Sequence, residues 1–194
     1  LKTFKKSLVL KRMGFALFFI FLATYIAESV AIQDFKLQAG IPLEWWGILF
    51  VIVSVTGIFT PQLGLKIANK FKKLSNYLTL SYFLMAILYA LAIVSLNPYY
   101  VAILTMLFIV IYDFYLPGED KLYNKHTPSA QRASVNSIRS MIQHGGVILG
   151  MLIAGFLTDY FGGAKTIAIS SLVLIPAIIL VFGIKERKSP RYVR

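Results

Sequence analysis

The chain has 194 residues, of which 58% are hydrophobic, and its formal net charge is +12 at pH 7. Its mean hydropathy of +0.73 is beyond the usual range of soluble domains, and the apolar stretches leave no room for a separate soluble domain. The absence of cysteine excludes disulfides and thiolate metal sites. The basic residues are divided among four segments rather than clustered on one face, which argues against nucleic-acid binding.

Six apolar stretches are predicted to be transmembrane helices, because unpaired backbone groups are costly in lipid and no alternating strand pattern is present. The predicted spans are residues 13–33, 43–66, 76–96, 99–122, 132–159 and 164–184. Residues 1–12 are predicted to form a basic cytoplasmic linker, residues 13–184 the six-helix transmembrane domain, and residues 185–194 a basic cytoplasmic tail.

The positive charges alternate between the gaps that separate these spans. Seventeen of the 20 Lys and Arg residues precede the first span, follow the last, or lie in the second and fourth gaps, whereas the other gaps carry only Lys36 and Lys165. Cytoplasmic loops of membrane proteins carry such an excess. The pattern predicts a multi-pass protein of the cell membrane with both termini in the cytoplasm.

In chain order, the first charged side chain inside a span is Glu28, which shares a polar stripe with Thr24 and Tyr25 at helical spacing. A carboxylate in lipid is expensive, so its presence needs a reason. Two interpretations are open: a proton or cationic-substrate site that faces a cavity, or a carboxylate near the external water interface.

The end of the second span, Ile67–Phe71, is echoed by the end of the fifth, Leu157–Phe161. Both segments have an aliphatic residue, a small residue, Asn or Asp, any residue, and Phe. One copy is predicted to be cytoplasmic and the other external. Two three-helix units in opposite orientation would produce this arrangement, and many secondary transporters contain such inverted repeats.

The fourth span carries Asp113, Glu119 and Asp120 toward its cytoplasmic end, and Arg139 enters the fifth span from the same side. An unpaired Arg at that depth is unfavourable, so Arg139 is predicted to pair with Asp113 or Glu119. The pair would either hold the hairpin of these two spans together or act as an inner gate or proton-coupling pair.

The fifth span is the most polar of the six. Its Gln143 and His144 are candidate pathway residues, with His144 either a proton relay or a helix-packing hydrogen bond. A single His with no His, Cys or paired carboxylates nearby does not make a metal site, so no metal or cofactor is expected. Gly146, Gly150 and Ala154 form a ridge of small residues that predicts close packing with another helix.

Two segments follow a spacing of Gly, three residues, Asp and then basic residues. The closer copy, at the end of the fifth span, comprises Gly155, Asp159, Gly162 and Lys165. The degenerate copy, after the second span, comprises Leu65, Asn69, Lys70, Lys72 and Lys73. Together with residues 117–150, above all 124–134, these segments make the chain resemble the carboxy-terminal half of a major facilitator superfamily transporter.

The resemblance implies an all-α membrane fold of two inverted three-helix repeats, corresponding to spans seven to twelve of a twelve-span protein. It implies Asn69, Lys70, Lys73 and Asp159 as gating-loop residues, beside the pathway candidates Glu28, Asp113, Arg139, Gln143 and His144. Its implied partners are the lipid bilayer, a small-molecule solute and an amino-terminal six-helix half.

The sequence therefore predicts half of a secondary active transporter that moves a small solute by alternating access, coupled to protons or another ion. The alternative is a stand-alone channel or facilitator that acts as a homo-oligomer, although no re-entrant filter segment is evident. An enzyme is not expected, because no Ser-His-Asp, paired-carboxylate or phosphate-cradling pattern stands out.

Overall fold

The computed structural model describes residues 7–186, and within this range it contains six helices long and apolar enough to cross a membrane and no strand. The helices are α1 (Leu8–Gln38), α2 (Leu43–Ala68), α3 (Leu74–Ile93), α4 (Pro98–His126), α5 (Arg132–Phe161) and α6 (Gly163–Phe182). The predicted number of spans is confirmed.

The first helix is longer than predicted at both ends. It begins at Leu8 because Ser7 caps it, with the Ser7 Oγ accepting a hydrogen bond from the Leu10 N–H at 3.3 Å. Residues 34–38, predicted to lie in the gap between the first two spans, are helical, and the helix ends at Gln38. The end of the predicted linker is thus part of α1, while residues 1–6 and 187–194 of the predicted linker and tail lie outside the described residues.

The helix pairs follow the symmetry expected of two inverted units, α1–α3 and α4–α6. Helix α1 packs mainly against α5 and α6, α4 packs mainly against α2 and α3, and α3 packs against α6. Exchanging the two units turns the pair α1–α5 into α4–α2 and the pair α1–α6 into α4–α3, and it leaves α3–α6 unchanged. The predicted fold class, six helices in two inverted three-helix repeats, is confirmed.

The small-residue ridge of α5 packs closely against another helix, as predicted, and that helix is α1. A Cβ atom added to Gly150 would lie 2.8 Å from the carbonyl oxygen of Leu22, and one added to Gly146 would lie 2.7 Å from that of Phe18. Glycine is therefore required here because the two helix backbones approach closely.

Helix α2 carries an equivalent ridge against α4, which the sequence reasoning missed. Its buried small residues are Thr60, Gly64 and Ala68, and a Cβ atom on Gly64 would collide with the carbonyl oxygen of Phe114. These residues correspond to Gly150, Ala154 and Thr158 of α5, all buried, at the same offset that relates Ile67–Phe71 to Leu157–Phe161. The echo in the sequence thus marks equivalent packing surfaces.

Polar contacts tie helix ends together on both sides of the bundle. On one side, which we call the basic end, Lys125 Nζ lies 2.9 Å from Glu186 Oε2, and Lys121 donates to the side-chain oxygen of Asn69. On the opposite end, Asp34 Oδ2 accepts the N–H of Gly163 at 2.5 Å and so caps α6.

Candidate functional site

Glu28 lies at the wall of a cavity of about 240 Å³ that Thr24, Tyr25 and Tyr112 also line. The predicted polar stripe of α1 therefore faces one cavity. The Tyr89 hydroxyl of α3 donates a hydrogen bond to Glu28 Oε1 at 2.6 Å. This bond joins two helices that the sequence reasoning had not connected.

The helix is irregular at this point. Residues Ala27–Ala31 form a π-helical segment, and Ser29 has non-helical backbone angles of φ −93° and ψ −108°. The Ser29 Oγ donates to the carbonyl oxygen of Tyr25 at 2.5 Å, a back-bond of the kind that bends helices. Since π-helical bulges are frequent at functional sites, the irregularity supports a role for Glu28.

Asp113 of α4 does not pair with Arg139, so that alternative of the sequence prediction is wrong. Its side chain is partly buried toward α2, where a Cβ atom on Gly57 would lie 3.2 Å from Asp113 Oδ2. The reason is the helix rise: Asp113 precedes Glu119 by more than a turn and a half, which is about 9 Å along the axis.

Arg139 forms two ion pairs with α4. Its guanidinium lies 2.9 Å from Glu119 Oε1 and 2.5 Å from Asp120 Oδ1. The Glu119 pairing was predicted and is confirmed, whereas Asp120 is an additional partner. Tyr82 donates to Glu119 Oε2 at 3.4 Å, and the Tyr123 ring lies 4.8 Å from the guanidinium carbon of Arg139. The Glu119 side chain is 2% exposed, whereas that of Asp120 is 49% exposed, so the cluster reaches from the interior of the bundle to its surface.

Tyrosine side chains, of which Tyr82 and Tyr115 are buried, lie between the Glu28 cavity and the Arg139 cluster. The rings of Tyr112 and Tyr115 have centroids 5.4 Å apart, and those of Tyr115 and Tyr82 are 5.1 Å apart. Tyr112 lines the Glu28 cavity and Tyr82 contacts Glu119, so aromatic side chains connect the two sites. The signal available in the sequence was the number of tyrosines on the third and fourth spans.

The two polar candidates of α5 do not contact these clusters through any hydrogen bond found in residues 7–186. His144 is exposed, and its Nδ1 lies 2.7 Å from the carbonyl oxygen of Ser140 in the same helix. The predicted hydrogen bond between helices is therefore replaced by one within α5. Gln143, beside it, is partly buried.

The four gating-loop candidates lie at helix ends. Asn69 accepts a hydrogen bond from Lys121, which ties the loop after α2 to α4, and Lys70 and Lys73 are exposed. Asp159 is exposed near the other end of the bundle, in the last turn of α5. Their gating role stays a prediction. Residues 7–186 contain no group of three or more His, Cys, Asp or Glu residues arranged to hold a metal ion.

Comparison with known proteins assigns the chain to a family. Residues 7–193 match the model of the Major Facilitator Superfamily. No curated protein and no solved structure matches the chain. Six spans, inverted helix pairing and a family match over nearly the whole sequence agree with one another. The chain belongs to the major facilitator superfamily of membrane transporters.

Proposed function

We propose that this chain is one six-helix half of a secondary active transporter that moves a small solute by alternating access, with proton coupling. The observation that carries the proposal is Glu28, a carboxylate inside the membrane-spanning region, at the wall of a cavity and bonded to Tyr89. Ionisable residues within membrane helices commonly mark ion and proton pathways.

The proposal of a half rests on the surfaces that the six helices leave uncovered. In the most apolar stretch of each helix, only 11% of α2 and 22% of α5 is buried, which is less than in the other four. His144 is among the exposed side chains of α5. An imidazole side chain that faces lipid is unfavourable. We therefore expect an amino-terminal six-helix half to cover the exposed faces of α2 and α5.

The cavity beside Glu28 supports the same assignment. Its volume of about 240 Å³ is below the usual range for ligand pockets, roughly 300–1,000 Å³. In this architecture the substrate lies at the interface of two repeats. The cavity is thus one wall of a larger pathway, with Glu28, Asp113, Gln143 and His144 as its candidate side chains.

Proton coupling would use the polar groups on both sides of the tyrosine cluster. Glu28 and Glu119 are the two carboxylates, and the hydroxyls of Tyr89 and Tyr82 contact them directly. Arg139 would hold Glu119 at the inner gate, while Asn69, Lys70 and Lys73 would act in the loop after α2 and Asp159 at the end of α5. The basic end would face the cytoplasm of a cell-membrane protein.

Reconstitution tests the function. The purified chain would be placed in proteoliposomes alone and with its amino-terminal half, with a trapped pH-sensitive dye and a panel of small solutes. We expect solute-driven proton movement only with both halves, and its loss in Glu28→Gln but not in the exposed control Glu44→Gln.

Two outcomes would contradict the proposal. Solute-specific uptake by the purified monomer would refute the half-transporter assignment. Uptake by a stable homodimer without proton movement would favour the alternative, a facilitator that acts as a homo-oligomer.

A further inference from the structure

A second cavity, of about 710 Å³, lies at the basic end, where the start of α1, the end of α4 and the residues after α6 meet. Arg12, His126 and Lys185 contribute side chains to its wall. It is separate from the transport site, because Arg12 and Glu28 are roughly 24 Å apart along α1.

The electrostatics of this cavity suit an anion. Arg12 and Lys185 bring positive charge, and no carboxylate is among the described residues that line it. Glu186, which follows Lys185 in the sequence, already has partners of its own. One of its carboxylate oxygens lies 2.9 Å from Lys125 Nζ, and the other accepts the Ser75 N–H at 2.7 Å.

Hydrogen-bond donors also converge on the cavity. Helix α1 begins at Leu8, so the N–H groups of Leu8 and Val9 precede its first internal hydrogen bonds and the positive end of its dipole lies at the wall. His126 Nδ1 donates to the carbonyl oxygen of Leu122 at 3.0 Å, which holds the imidazole ring at the cavity wall. Arg12 also donates to the carbonyl oxygen of Gly183 and so holds two walls together.

The surroundings of the cavity favour a lipid over a free anion. Leu8, at the cavity, is 65% exposed, and Phe15, two turns further on the same face of α1, is 64% exposed. An anion in the cavity would therefore have an apolar helix face beside it, on which acyl chains can lie. Basic pockets between helix ends at the membrane surface bind anionic headgroups.

We propose that the cavity at the basic end binds the phosphate headgroup of an anionic phospholipid, with the acyl chains along Leu8 and Phe15 of α1. The proposal uses the membrane placement of the fold and does not depend on the solute or the coupling ion. The site would anchor the ends of α1, α4 and α6 to the surrounding bilayer.

Native mass spectrometry of the detergent-purified chain tests the proposal, with phosphatidylglycerol, phosphatidylcholine and inorganic phosphate as probes. We expect phosphatidylglycerol to bind most tightly. The variant Arg12→Gln/Lys185→Gln should weaken this binding about fivefold for each charge removed. The control Lys66→Gln/Lys72→Gln removes two exposed charges from the same end of the bundle and should leave the binding unchanged.

A second variant separates binding from folding. His126→Gln/Lys185→Gln keeps the bond between Arg12 and Gly183 and should still lower phosphatidylglycerol binding. Equal losses in the control, equal binding of phosphatidylcholine, or unchanged binding in both site variants would overturn the proposal. Inorganic phosphate binding as tightly as phosphatidylglycerol would also overturn it and indicate a site for a free anion.

Discussion

Arg139 of α5 forms two ion pairs that join α5 to α4 at the basic end. It neutralises Glu119, whose side chain is 2% exposed, and also binds Asp120. Removing one member of a buried ion pair leaves an uncompensated charge and typically costs about 3–5 kcal/mol. We expect Arg139→Ala to lower the thermal unfolding midpoint in detergent and the yield of inserted protein.

The controls for Arg139→Ala lie on the same two helices. Arg132→Ala removes an exposed charge from the start of α5 and should change neither quantity. Asp113→Asn should be milder than Arg139→Ala, because Asp113 is outside the ion-pair cluster and asparagine keeps a hydrogen-bond acceptor. Equal stability of Arg139→Ala and Arg132→Ala would contradict a structural role for the pair.

Among contacts between individual residues, the sequence allowed the Arg139–Glu119 pair to be predicted but not the hydrogen bond between Tyr89 and Glu28. The first follows from helix rise within one hairpin, because Glu119 and Arg139 enter adjacent spans from the same side. The second joins residues on two helices that are not consecutive. A membrane helix that is apolar on every side gives little indication of which face turns inward, so Tyr89 could not be placed.

At the scale of helices, the ridge of small residues on α5 predicted a close contact with another helix, and this contact is with α1. A Cβ atom on Gly150 would lie 2.8 Å from the Leu22 carbonyl oxygen, whereas one on Gly155 of the same helix would meet no atom within 4 Å. We expect Gly150→Ala to destabilise the fold by about 1–3 kcal/mol, the usual cost of overpacking. Gly155→Ala should be neutral or stabilising, because alanine favours helix.

Thermal unfolding of the two variants under identical detergent conditions measures the difference. A Gly150→Ala protein as stable as the Gly155→Ala protein would show that the backbones of α1 and α5 are not in close contact. The equivalent ridge of α2 was missed because threonine and alanine supply two of its three buried positions, and only Gly64 stands out.

Glu186, four residues beyond the end of α6, contacts the start of α3 and the end of α4 and gives the fold a dependence on pH. Burial alone would raise the pKa of Glu186, but hydrogen bonds from Lys125 and from the Ser75 N–H outweigh it and lower that pKa below its ordinary value of 4.5. A lowered pKa means that the Glu186 carboxylate stabilises the folded state above about pH 4.5. This stabilisation is lost as the pH falls through the lower pKa of the folded chain.

Glu186→Gln should therefore be less stable than the parent protein at neutral pH, and the difference should shrink below pH 4.5. Unfolding midpoints across pH measure this change, with the exposed Glu44→Gln as the control. A difference that stays constant with pH would contradict a lowered pKa in the folded chain.

The ends of these helices are hard to predict from the sequence. The apolar stretch ends at the first charged residues, whereas the helix continues beyond them.

The arrangement of the whole molecule places its polar contacts at two ends. At the basic end, side-chain contacts join the starts of α1 and α3 to the ends of α2, α4 and α6. The residues that make these contacts are Arg12, Asn69, Lys121, Lys125 and Glu186. These are the ends that carry the predicted excess of Lys and Arg. The inverted pairing of helices could be anticipated from the echo at Ile67–Phe71, whereas the angle and depth of each helix depend on side-chain packing that no short motif encodes.

The charge bias predicts which of these ends faces the cytoplasm. Cytoplasmic loops keep Lys and Arg, because basic residues near a span are retained on that side during insertion. A reporter enzyme that folds only outside the cytoplasm should be inactive when fused after Lys72 or Arg194 and active when fused after Gly40, in the loop between α1 and α2. A reporter that works only in the cytoplasm should give the reverse result at each site, which controls for expression. Activity of the external reporter after Lys72 but not after Gly40 would reverse the topology and place the basic end outside.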